Sequence, residues 1–136
     1  MSEADRIKYL RIALVVVGLT FIFGIYPLGL VWPSGWVWHT GGRSDYLEMI
    51  LGIYATLGVF LLIAARDPMA HASIIWFAVW SSVVHGGVMA VQSVINPEHI
   101  GHLWGDVVAL LAIAAILAVL AARPASASAP AAFGAK

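Results

Sequence analysis

The polar and apolar positions of this chain alternate in long blocks rather than in short periods. Residues 12–32 carry no Asp, Glu, Lys or Arg, and follow a polar lead containing Arg6, Lys8 and Arg11. Two further apolar blocks occupy about 44–65 and 68–95, and a fourth, 97–122, ends in sixteen successive uncharged residues from 107. A helix rises about 1.5 Å per residue, so about 20 residues cross about 30 Å of hydrocarbon. The pattern predicts an all-α integral membrane protein, a four-helix antiparallel bundle with spans at about 10–32, 44–65, 68–95 and 97–122.

The punctuation supports these limits. Pro27 lacks an amide donor and is expected to kink or end the first helix near its outer end. Asp67-Pro68 and Asn96-Pro97 each set a capping acceptor before a proline, which predicts starts for spans three and four near Pro68 and Pro97. The first block is not followed by a small-x-small cleavage site, so it reads as a retained span rather than a removed signal. Residues 123–136 form a Pro/Ala/Ser tail too poor in apolar side chains to build a core, expected to be mobile. Residues 1–122 are thus one transmembrane domain.

Composition moves the picture further from a soluble domain. Of 136 residues, 62% are hydrophobic and only 10% charged, and the mean hydropathy is +0.94. Soluble domains are about 45–50% apolar and about 25% charged. Net charge is zero with no basic run, which leaves no electrostatic basis for nucleic-acid binding. The absence of cysteine removes disulfides, thiolate catalysis and cysteine metal sites. In a four-span zigzag, Arg6, Lys8, Arg11, Arg66, Arg123 and Lys136 fall on one side and only Arg43 on the other. The positive-inside rule then predicts cytoplasmic N- and C-termini. Trp32, Trp36, Trp38 and Trp104 are expected at the outer headgroup region as interface anchors.

Ionisable residues within such spans are costly and mark the places to look for chemistry. His99, His102 and Asp106 lie three and four apart, on one face of a helix. Glu48 sits one turn into span two. His85 lies about 15 Å below the outer end of span three, with Ser81, Gln92 and Asn96 on the same stripe. Glu48, His85, His102 and Asp106 are therefore expected to converge in the outer half, as candidates for metal ligation or a proton relay. His39, Asp45, Gln92 and His99 would lie at the mouth of that site. Blander readings stand beside this one: Asp45-x-x-Glu48 as a capping box, His99 and His102 as interfacial residues, His85 as a core histidine satisfied by Ser81 or a carbonyl. No spacing matches an established metal motif, and Ser81 and Ser82 beside a histidine lack any nucleophile-elbow context.

The run 45–60, then Trp80 to His85, Gly101-His102, Gly105-Asp106 and the Trp-Pro-Ser-Gly-Trp loop at 32–36, resembles a family of small bacterial four-span proteins known only as a domain of unknown function. A looser similarity is to DoxX-like membrane proteins. The resemblance covers most of 12–122 and implies the topology and a bacterial inner-membrane setting, but no activity.

The leading expectation is a binding or accessory inner-membrane protein, non-enzymatic, whose buried His/carboxylate cluster toward the periplasmic side holds a metal, a proton or a small polar ligand. The competing readings are a metal- or haem-dependent oxidoreductase subunit and a purely structural assembly partner. A divalent transition metal comes before haem b as cofactor. Expected partners are the lipid bilayer and either further copies of the chain or another membrane protein, with small residues such as Gly18 and Gly58 on the lipid-facing surface.

Overall fold

The computed structural model describes residues 1–38 and 44–122. The expectations for His39, Arg43 and the tail from Arg123 lie outside them. Among the described residues all regular structure is helical, and four helices are long and apolar enough to cross a membrane. They suggest a multi-pass membrane protein.

The first begins earlier than the hydropathy alone implies. Ser2 caps α1 (Glu3–Leu19) by accepting the Asp5 amide at 3.1 Å, so the polar lead is already helical. The helix then passes through a π-helical turn (Thr20–Gly24) into α2 (Ile25–Val31). Pro27 does not end it. A proline lacks the donor to the carbonyl four residues back and crowds that turn; here the turn before it widens and the helix continues to Val31. The single turn α3 (Pro33–Trp36) follows, and α4 (Asp45–Ala64) starts after Ser44, whose hydroxyl accepts the Leu47 amide. The cap of α4 is therefore Ser44, not a box built on Asp45.

The two proline boundaries behave differently from expectation. Asp67 accepts the Ala70 amide at 3.2 Å, but this closes a turn, and α5 runs only from Ala72 to Ile95. Asn96 makes no side-chain cap, and Pro97 opens a 3-10 helix (Pro97–Leu103) before α6 (Asp106–Ala121). His99, His102 and Asp106 thus do not share one continuous α-helix.

Leu10, Leu14, Val17 and Phe21 pack with Leu57, Leu61, Ile75, Ala78, Ala114 and Leu117 in one buried cluster fed by all four long helices. Outward-facing positions such as Phe23, Leu30, Ile53, Val84 and Val119 are exposed and apolar, as lipid contact requires. The glycines set helix separation. A Cβ on Gly58 would lie 2.6 Å from the Gly18 carbonyl oxygen, and one on Gly18 would lie 2.9 Å from that of Gly58. Both glycines are consumed in the α1–α4 crossing inside one chain, which corrects their assignment to a lipid-facing association surface. Gly86 similarly lets α5 approach Leu110 and Leu111, whereas Gly87 beside it faces open space. The helix pairs α5–α6 and α1–α4 pack closely; α4 and α5 meet sparsely.

Arg6 joins the two ends of the described chain. Its guanidinium is buried and donates to the carbonyls of Leu120 at 2.6 Å and Ala122 at 3.2 Å, and to Glu3 at 3.1 Å. The last carbonyls of a helix have no partner within it, so this cation serves as an external cap for α6. Arg6→Ala should lower unfolding stability in detergent by about 1–3 kcal/mol, while Lys8→Ala, exposed on the same turn, should leave it unchanged. A denaturation midpoint for each variant checks this.

Candidate functional site

Close backbone packing builds the site before any side chain enters it. Gly101 and Gly105 lie against residues 34 and 35: a Cβ on Gly101 would strike the Ser34 carbonyl oxygen, and one on Gly105 would strike that of Gly35. The segment after the first span therefore folds back onto the start of the fourth. Val37 leaves α3 in extended geometry and the chain bends at Trp38, which arrives over the junction between the 3-10 helix and α6.

Asp106 is the focus there, only 6% exposed. One carboxylate oxygen, Oδ2, accepts the Trp38 indole N–H at 2.8 Å and lies 2.9 Å from His102 Nδ1. With the carboxylate ionised, His102 Nδ1 must carry the hydrogen, since a carboxylate can only accept. The Trp38 ring also stacks on His102 with centroids 4.0 Å apart, and lies tilted against His99 at 4.8 Å. The other oxygen, Oδ1, is buried and has no hydrogen-bond partner among the described residues. Trp36 Nε1 is in the same condition.

Asp106 and Trp36 both belong to the wall of a cavity of about 130 Å³. Apart from Thr20, its remaining lining is apolar or aromatic, including Phe21, Ile25, Leu51 and Ile113. Tyr54 and His85 supply a second polar point on the same wall, joined to each other by a 3.0 Å hydrogen bond between the phenol oxygen and His85 Nδ1. Tyr54 is held in turn by an edge-on contact with Phe21.

The four expected convergent residues are therefore split. His102 and Asp106 are in direct contact. His85 lines the same cavity as Asp106 but engages Tyr54 rather than Ser81, whose hydroxyl turns back to the Ala78 carbonyl. Glu48 is exposed on the first turn of α4, while that helix lines the cavity with Leu47, Ile50, Leu51 and Tyr54. The stripe on α5 sits on the flank of its buried face, which is formed by Ala78, Ser82, Gly86, Met89 and Ser93. Gln92 and Asn96 are exposed. Of the expected mouth residues, Asp45 is exposed, Gln92 borders an adjoining groove, and His99 lies tilted against Trp38 with Glu98 at 3.8 Å.

Trp36, Trp38 and Tyr54 are the cavity residues that sequence reasoning did not assign to the site. Trp38 was expected among the interface anchors Trp32, Trp36 and Trp104, and Tyr54 had no role. Trp32 and Trp104 are exposed, but Trp36 and Trp38 turn into the site. Among the described residues no group of three or more His, Asp or Glu could hold a metal ion, so the ligand set Glu48, His85, His102 and Asp106 does not form. The two histidines expected to flank a haem do not line one space either: His85 borders this cavity and His102 does not.

The model of a family described as "Family of unknown function (DUF6632)" matches residues 4–133, nearly the whole chain, and the chain belongs to that family. No curated protein and no solved structure matches it. The match shows neither a DoxX-like relationship nor an organism.

Proposed function

We propose that this member of the DUF6632 family is a non-enzymatic binding protein of the bacterial inner membrane. In this reading its four helices form an antiparallel bundle with cytoplasmic termini, and the cavity at the periplasmic end takes a small, largely apolar ligand through one hydrogen-bond donor. The observation that carries it is the asymmetry of Asp106. Two donors satisfy one oxygen, while the other, buried at the wall of an apolar cavity, is left unpartnered among the described residues. An unsatisfied buried acceptor costs about 1–3 kcal/mol, a cost that a donor on a ligand would remove. The six-to-one distribution of basic residues supports the orientation. A relay of protons through Asp106 and His102 is the second reading, favoured by their direct contact.

Asp106→Asn gives a specific test. Its amide oxygen can keep both latch bonds from Trp38 and His102, which turns the NH2 group to the former Oδ1 position. The pocket then offers a donor where it offered an acceptor. Benzyl alcohol should raise the thermal midpoint of the wild type, and toluene, of similar size, should not. At ten times its Kd a ligand stabilises by about 1.4 kcal/mol. Protection by benzyl alcohol should fall in Asp106→Asn, where its hydroxyl can only accept from a neutral amide instead of donating to a charged oxygen. Equal protection by toluene, or none by any donor-bearing probe, would overturn the reading.

A further inference from the structure

The cavity is not closed. Trp38, Leu47, Ile50, His85 and Met89 line both it and a second, larger groove of about 360 Å³, whose outer lip carries Ser44, Tyr46 and Gln92. Ser44 caps the start of α4, and Gln92 lies three residues before the end of α5. The groove thus opens sideways between α4 and α5, which meet sparsely, near one end of their apolar lengths. In a membrane this is the headgroup boundary. Small amphipathic aromatics concentrate there for the same reason that Trp and Tyr side chains do.

We propose that the ligand is a lipid-soluble phenol, one aromatic ring bearing a neutral hydroxyl, and that it enters from the membrane interface between α4 and α5 to place its hydroxyl on Asp106 Oδ1. This rests on the binding function proposed above and specifies its ligand class. Three observations converge on it. The cavity of about 130 Å³ is close to the volume that accommodates a single benzene ring. Its walls include the Trp36, Trp38, Phe21 and Tyr54 rings, against which a planar guest packs. The polar end presents a buried acceptor oxygen without a partner among the described residues, and 94% of Asp106 is shielded (6% exposed). An ammonium could also donate to that oxygen, but the groove's inner neck is mostly apolar (Leu47, Ile50 and Met89 beside Trp38 and His85), and a charge crossing it would lose most of its hydration. A neutral hydroxyl crosses at far smaller cost. His85 and Tyr54 lie on the route and offer the hydroxyl a polar contact before it reaches Asp106.

The test uses the full chain in phosphatidylcholine nanodiscs and 19F NMR of 4-fluorophenol, with 4-fluoroanisole and 4-fluorobenzylammonium as comparison probes. The wild type should show a bound 4-fluorophenol resonance, at least tenfold weaker for 4-fluoroanisole and for the ammonium. Gln92→Trp, which narrows the groove at an exposed residue outside the cavity lining, should slow exchange of the bound phenol at least tenfold. Unchanged exchange in Gln92→Trp, with binding still weakened in Asp106→Asn, would overturn the lateral route and leave the Asp106 site standing. Preferential binding of the ammonium would overturn the phenol class alone. Binding in detergent that vanishes in nanodiscs would assign the groove to an acyl chain and overturn the proposal. Equal binding of 4-fluoroanisole would overturn both this inference and the donor-binding function beneath it.

Discussion

Replacing Asp106 by alanine should destabilise the folded protein by about 3 kcal/mol, the cost of breaking a buried hydrogen-bonded pair at the lower end of its usual range. The substitution strands the Trp38 indole N–H and the His102 ring N–H together, because both converge on the same oxygen. Hydrogen bonds to a charged acceptor contribute about 1.5–3 kcal/mol each. Polar contacts measured within membranes average nearer 0.6 kcal/mol, since the unfolded chain also finds partners. The membrane value pulls the expectation down; the double loss pulls it up. Reversible unfolding in mixed micelles measures the change. Trp104→Ala, at a residue 74% exposed, is the matched control and should shift little. A loss below about 1 kcal/mol for Asp106→Ala would mean that the latch contributes little to the fold.

The second large effect is expected at Gly105. A Cβ there meets the Gly35 carbonyl oxygen and also the Gly35 carbonyl carbon and Cα, each of the latter at 2.8 Å. These are backbone atoms, which cannot swing aside as a flexible side chain would. Gly105→Ala should therefore lift residues 33–36 off the start of α6 and separate Trp38 from Asp106. Overpacking costs about 1–3 kcal/mol and occasionally more, and loss of the latch adds to it. Gly87→Ala is the contrasting case. Nothing lies within 4 Å of its added methyl, and removing a helical glycine stabilises by about 0.5–1 kcal/mol. The same one-carbon change should thus act in opposite directions at 105 and 87. Thermal midpoints of the two variants decide it, and similar shifts in both would count against the docked turn.

Both effects depend on parts of the fold that differ in how well the sequence announces them. Four apolar lengths are legible because hydrophobic runs survive any detail of packing. The contact of His102 with Asp106 is legible for a local reason: four residues apart, they meet even though the intervening backbone leaves the 3-10 helix and enters α6. Glu48 shows where depth alone misleads. Its height along α4 suits the site, but Leu47, Ile50 and Tyr54 occupy the cavity side, and a residue one position on from Leu47 is turned about 100° away. Spacing back from the apolar Leu57 and Leu61 could have assigned it to the outer face.

Trp38 was beyond such reasoning. Its partner is 68 residues away in sequence, and an indole beside a membrane surface has an ordinary interfacial explanation. The signal that could have found it is the pairing of Gly101 and Gly105 with the Ser34-Gly35 turn, small residues that permit two backbones to touch. Gly18 and Gly58 carry the same lesson. A glycine on an apolar helix marks a close approach without saying whether the neighbour is in the same chain or another.

Trp38 is latched to a buried Asp106 carboxylate, and indole N–H spectroscopy reads that contact directly. In a 15N-labelled sample, the Trp38 Nε1–H resonance, assigned by its loss in Trp38→Phe, should be shifted downfield and slow to exchange with solvent. It should move upfield toward the exposed Trp104 signal in Asp106→Ala while the other indole signals hold their positions. A Trp38 signal that exchanges as fast as that of Trp104 and ignores the Asp106 substitution would contradict the account.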